Sequence, residues 1–93
     1  MKQKDASTDN NTTPELNVII KDRQGSKFNS TVSSVSSVNH EGVFDVLSHH
    51  TNFITLIKDT VIVDKGLETQ KKFKIEQGVM YVMENDVTIY VGI

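Results

Sequence analysis

The chain has 93 residues, a formal charge of −2 with both signs mixed along it, and no cysteine. That length holds one small domain, which buries only about 60–65% of the surface its unfolded chain exposes, and the absence of cysteine excludes disulfide staples and thiolate metal ligands. No basic block gives the electrostatic footprint of a nucleic-acid binder, no run approaches the roughly 18 apolar residues of a membrane span, and the N-terminal MKQKDASTDN lacks the apolar segment of a secretory signal.

A cysteine-free chain also fits a reducing compartment, so a soluble, cytoplasmic, single domain is expected. Residues 1–14, MKQKDASTDNNTTP, carry one alanine and one methionine as their only apolar content. Such a segment buries too little surface to offset its ordering entropy. It is expected to be a disordered tail ending at Pro14, followed by a folded domain over residues 15–93.

From Leu16 the pattern is β. Leu16, Val18 and Ile20 alternate with Asn17, Ile19 and Lys21, a period of two. Asp22 to Gly25 reads as a turn, with Gly25 free to take positive φ. The next run, SKFNSTVSSVSSVN, is rich in β-branched residues and poor in good helix formers. Val32, Val35 and Val38 are spaced by three, which suits a helix, but the serines between them compete for the backbone. A strand with a bulge near Ser33-Ser34 reconciles the spacing.

A short helical turn is the expectation near residues 51–57. Thr60 to Val63 reads as a strand, and a turn follows around Gly66. Lys71 to Glu76 places Phe73 and Ile75 on one face and Lys72, Lys74 and Glu76 on the other, a half-exposed strand. Gly78 reads as punctuation. Val79 to Met83 and Val87 to Val91 form a hairpin across Glu84-Asn85-Asp86. In the first of these strands Met80 and Val82 share one face, and Val79, Tyr81 and Met83 share the other. With both faces apolar, that strand is central or one face meets a partner.

Residues that could carry chemistry are few. His40, His49 and His50 could in principle give three nitrogen ligands, but adjacent histidines in extended chain point to opposite sides, which serves tetrahedral coordination poorly. Ser48 and Asp45 lie near His49 in sequence, yet a catalytic triad converges in space, and no nucleophile elbow is present. No G-x-x-x-x-G-K-[ST] cradles a phosphate. No catalytic residue, metal ligand or cofactor site is therefore assigned. Phe53, Ile54, Leu56 and Ile57 form the longest apolar cluster, either a core segment closing one end of the domain or, in part, an exposed docking patch. Lys71, Lys72 and Lys74 form a basic edge that guards a strand against aggregation.

EGVFDVLSHHTNFITLI, residues 41–57, resembles the loop of the F-type ATP synthase epsilon subunit, which reads like EGEFGILPGHAPLLTAL. LNVIIKDRQGSKFNSTVSSVSSV resembles the opening strands of that family, and KFKIEQGVMYVMENDVTIYV its closing hairpin. The likeness spans residues 16 to 92. Val43 stands where the family has an acidic residue, Asp45 where it has glycine, and Ser48 and Asn52 where it has prolines; His50 falls on the matched histidine. Loss of both prolines frees φ at two places and is expected to loosen the loop unless a partner orders it.

The resemblance implies an all-β fold, a flattened antiparallel β-sandwich or barrel of about ten short strands, in agreement with the spacing of the strand signals. It implies a non-catalytic rotor-stalk subunit, the counterpart of mitochondrial delta. Its partners would be the gamma subunit and the c-ring, and it would sit peripherally at the cytoplasmic face of the membrane, held there only through the complex. The family often carries a C-terminal helical hairpin, and the sequence stops at Ile93, so no hairpin is expected. Glu41, Gly42, Val43, His49 and His50 are the expected ring-facing residues, and Tyr81 and Met83 the gamma-facing ones. Gly42 and Gly78 are expected to serve backbone shape. The other reading is a free-standing β-sandwich that binds a small ligand in an apolar pocket of a few hundred Å³, or an unrelated protein.

Overall fold

The computed structural model describes residues 15–92. The expected tail, residues 1–14, lies outside the described residues. Seven strands follow in chain order: β1 (Leu16–Asp22), β2 (Gly25–Val32), β3 (Ser34–Asn39), β4 (Gly42–Leu47), β5 (Phe53–Val63), β6 (Lys71–Met83) and β7 (Asp86–Val91). No helix occurs among the described residues. The strands hydrogen-bond in the order β2-β1-β7-β6-β5-β3-β4. Every neighbouring pair is antiparallel except β1 and β7, which run parallel.

Seven strands stand where the resemblance implies about ten; Lys71–Glu76 and Val79–Met83, which read as separate strands, are one, and residues 53–57 join the strand read at 60–63. β5 and β6, 11 and 13 residues long, each serve both layers. β7 pairs with β6 over Gly78–Met83, whereas β3 pairs with β5 over Lys58–Val63. One layer is therefore β2, β1, β7 and the adjoining halves of β6 and β5. The other is the remaining halves of β6 and β5 with β3 and β4. The sheet folds over between Lys58 and Thr60, where the β5–β6 register shifts and Asp59 takes a φ of 72°. Ring contacts across the fold prove the closure: Phe28 of edge strand β2 meets Phe73 of β6, with centroids 5.5 Å apart.

Gly78 does not end a strand. It lies at this crease, where an added Cβ would stand 2.5 Å from the Tyr90 carbonyl oxygen. The glycine marks a close approach of two backbones, not a break. Residues 53–57 form no helical turn either. They open β5, with Phe53, Thr55 and Ile57 turned inward and Ile54 and Leu56 outward.

The serine-rich run is two strands rather than one bulged strand. β2 pairs with β1 and β3 pairs with β4 and β5, so the chain changes layer at Ser33. That crossing, not a bulge, shifts the inward phase between Val32 and Val35, both buried. The core is aliphatic, with Leu16, Val18, Ile20, Val35, Val61, Met80 and Ile89 at 0–1% exposure. Two serines share it and both are satisfied, as buried hydroxyls must be. Ser37 Oγ donates to the Thr60 carbonyl at 2.7 Å and Ser36 Oγ donates to the Asp45 carboxylate.

Candidate functional site

The outward half of β5 and the C-terminal half of β6 lie side by side, with Ile54 opposite Tyr81 and Leu56 opposite Val79. On the far side of β6, Val79 faces Tyr90 and Tyr81 faces Thr88 of β7. Alternation turns these side chains to the same outer surface. The result is a contiguous apolar patch: Ile54 is 66% exposed, Leu56 71%, Tyr81 41%, Met83 62% and Tyr90 40%. The Tyr81 and Tyr90 rings meet edge to face at 5.9 Å, and Lys21 Nζ lies 6.0 Å from the centre of the Tyr90 ring. Aromatic residues and methionine on a flat exposed sheet face have the composition of a protein-docking surface.

Tyr81 and Met83, the expected gamma-facing pair, both belong to this patch. Tyr90 belongs to it too, and so do Ile54 and Leu56 of the apolar cluster expected to be core or, in part, a docking patch. The signal for these two was the period-two alternation that starts at Phe53, hidden by the expectation of a turn there. The cluster Phe53 to Ile57 proves to be core and surface at once, since Ile57 is buried and its two even-numbered neighbours are not.

The five expected ring-facing residues are not one group. Glu41, Gly42 and Val43 lie at the start of β4, where Gly42 takes a φ of 120° as the chain leaves the two-residue turn. Asn39 fixes this turn, accepting the Glu41 N–H at 2.9 Å and donating to Thr55 Oγ1 at 3.2 Å. Val43 is 74% exposed, and the Glu41 side chain faces a weakly held His40 partner 3.6 Å away. His49 and His50 follow the other end of β4. Phe44 to Leu47 of that strand lie between the two groups, about 13 Å from Val43 to Leu47 at the usual rise.

This separation also removes the geometry a three-histidine metal site needs, because His40 belongs to the first group. Among the described residues no cluster of histidine and carboxylate side chains could hold a metal ion. His50 is used locally. Its Nδ1 lies 2.8 Å from the Thr51 carbonyl oxygen and its ring centre 5.0 Å from that of Phe53.

The loop that carries both histidines is held without its prolines. Asn85 Oδ1 in the β6–β7 turn accepts the His49 N–H at 2.9 Å, and Asn52 Oδ1 accepts the Glu84 N–H at 2.6 Å. The two asparagines cap each other's loops, so His49 and His50 share one end of the domain with Met83. His49 takes a φ of 66°, a conformation that the capped backbone enforces.

Among the described residues, the titratable group that is perturbed lies elsewhere. The Ser36 hydroxyl, donating to Asp45, and then the Lys65 ammonium at 3.3 Å hold the Asp45 carboxyl below its ordinary range. Ser36, Asp45 and Lys65 form a surface ion-pair network on the opposite layer. It carries no nucleophile–base geometry.

Comparison with known proteins places this geometry. Residues 15–92 match the family described as ATP synthase, Delta/Epsilon chain, beta-sandwich domain. The fold is similar to a chain in the cryo-EM structure of the Euglena gracilis mitochondrial ATP synthase, OSCP/F1/c-ring in rotational state 1. There the TM-score is 0.75 at 16% identity, over 98% of this chain and 59% of that one. It is also similar to a chain in the central stalk/c-ring structure of the Tetrahymena thermophila mitochondrial ATP synthase, with a TM-score of 0.66 at 10% identity, over 87% of this chain and 66% of that one. The chain thus spans about three-fifths to two-thirds of the length of these structural relatives. At such identities the likeness is one of fold. No curated protein matches the sequence.

Proposed function

The chain belongs to the ATP synthase delta/epsilon family through its β-sandwich domain, and on that premise we propose that it is a non-catalytic subunit of the central rotor stalk of an F-type ATP synthase. In this role it docks on the gamma subunit and the c-ring and helps couple ion-driven rotation to ATP synthesis. The observation that carries the proposal is the outer face of β5, β6 and β7, where Ile54, Leu56, Tyr81, Met83 and Tyr90 form an exposed apolar surface on a rigid support.

Torque transmission needs stiffness and complementarity rather than a shifted pKa. A folded-over sheet supplies the stiffness, because the two layers share the long strands β5 and β6. The apolar face supplies an area to seat on the gamma subunit. His49 and His50, held beside the same end as Met83, extend that contact. Glu41, Gly42 and Val43, at the far end of β4, are the group assigned to the c-ring. Val43 in place of an acidic residue puts an exposed apolar side chain beside Glu41 in that contact. The membrane association is then peripheral, through the complex; no helix among the described residues is long and apolar enough to cross a bilayer.

A tagged full-length chain recovered from membranes of the source organism tests the proposal. Gamma and c subunits identified by mass spectrometry, and lost when Tyr81→Ala and His50→Ala are combined, support it. A folded chain that recovers no ATP synthase subunit leaves the free-standing binding module as the reading.

A further inference from the structure

Strand β6 is paired on both sides over only part of its length. β5 accompanies it from Lys71 to Val82, but β7 joins its other side only from Gly78 onward. Among the described residues no strand pairs with that side of Lys71–Glu76. The β7 ladder ends at the Val91–Gly78 pair, and Gly92 takes a φ of 71°, as the chain leaves the sheet.

The gap beside this edge is a cleft of about 470 Å³. Ile20, Phe73, Ile75 and Val91 line it with apolar surface. Lys27, Lys72 and Lys74 also line it, against Asp22 and Glu76. Lys27 is engaged with Asp22 at 3.7 Å, which leaves Lys72 and Lys74, with Lys71 next in sequence, opposed in the lining only by Glu76 among the described residues. This is a local positive excess on a chain whose formal charge is −2.

We propose that this edge of β6 receives an extended segment of another polypeptide, with acidic and apolar residues in alternation, added as a further strand. Main-chain hydrogen bonds to an open edge give affinity, and pockets for alternate side chains give specificity. In a strand laid along Lys71–Glu76, one set of side chains turns toward Phe73 and Ile75. The other set emerges beside Lys72 and Lys74, where carboxylates are favoured. A second copy of this chain is a poorer occupant, because edge-to-edge pairing sets lysine against lysine. The inference is independent of the stalk assignment, since it uses a different edge of the sheet.

The test uses the full chain and a fluorescent heptapeptide of alternating glutamate and valine with blocked ends, followed by anisotropy at low salt. Two further peptides accompany it, one with lysine for glutamate and one with alternate amides N-methylated. The acidic peptide is expected to bind, with amide exchange slowed within Lys71–Glu76. N-methylation and the variant Lys72→Glu/Lys74→Glu are each expected to weaken binding by about tenfold or more, since one removes ladder bonds and the other inverts the charge. If that variant loses its β-sheet circular dichroism, Lys72→Gln/Lys74→Gln gives the same reading. Absence of binding at millimolar peptide, equal binding of the N-methylated peptide, protection at β2 or β4 instead, or a dimer of the chain that excludes the peptide would each overturn the proposal.

Discussion

The side-chain oxygen of Asn85 accepts the backbone N–H of His49 across 36 residues of sequence, at 2.9 Å. With the reciprocal bond from Glu84 N–H to Asn52, it fastens the β4–β5 loop to the β6–β7 turn. The family's prolines would stiffen this loop by restricting φ; here two asparagines stiffen it by capping.

Removing either acceptor therefore loosens the loop. Asn85→Ala leaves the His49 N–H without its partner and is expected to cost about 1 kcal/mol. Asn52→Ala does the same for Glu84. Hydrogen exchange at His49 and Glu84 checks this: each amide is expected to exchange faster in its own variant, while those of β1 and β7 hold.

Gly78→Ala tests the crease. The new methyl meets a backbone oxygen of Tyr90, which cannot rotate away as a side chain could. Overpacking of this kind costs on the order of 1–3 kcal/mol. The urea midpoint is expected to fall, with loss of protection in the β6–β7 ladder. A wild-type midpoint would show that the crease relaxes freely.

Asp64 ties the β5–β6 loop to the layer crossing at Ser33. It is 7% exposed, takes a φ of 53°, and its carboxylate accepts the Ser33 N–H and the Thr69 hydroxyl, each at 2.6 Å. Asp64→Ala removes both acceptors and strands a backbone donor. A loss of about 3 kcal/mol is expected from two bonds to a charged group. Asp64→Asn keeps an acceptor and tolerates the left-handed backbone, so it should lose less. Chemical denaturation of the two variants side by side decides.

Asp45 sets an acid dependence. Its folded pKa is lowered by Ser36 first and Lys65 second. A carboxyl with a depressed folded pKa stabilises the protein above its unfolded pKa, about 3.8. That stabilisation disappears as pH falls through the folded value. The urea midpoint is expected to drop on acidification below pH ~4. Asp45→Asn should flatten this part of the decline and leave the rest. A parallel decline in both proteins would remove Asp45 from the account. The exposed position keeps the effect small.

Much of the fold could be read along the chain because alternation is strong where one face is buried. β1 and β7 carry it plainly, and Met80 and Val82 separate cleanly from Tyr81 and Met83. The resemblance carried residues 16–92 to the right family. Three features were illegible for physical reasons. Ser33 shifts phase as a bulge would, and only its different partners reveal a layer crossing. Gly78 has the look of a strand end, yet its need is room for Tyr90, a residue 12 positions away. The separation of Val43 from His49 depends on Gly42–Leu47 being a paired strand, where the sequence resembled a loop.

Photo-crosslinking in membranes of the source organism reads out which subunit each surface meets. The full chain would carry a photoreactive residue at Tyr81, or separately at Val43, and its crosslinked partners would be identified by mass spectrometry. Gamma is expected at position 81 and the c subunit at position 43. Crosslinks to no ATP synthase subunit from either position, with the chain folded, would contradict the stalk assignment.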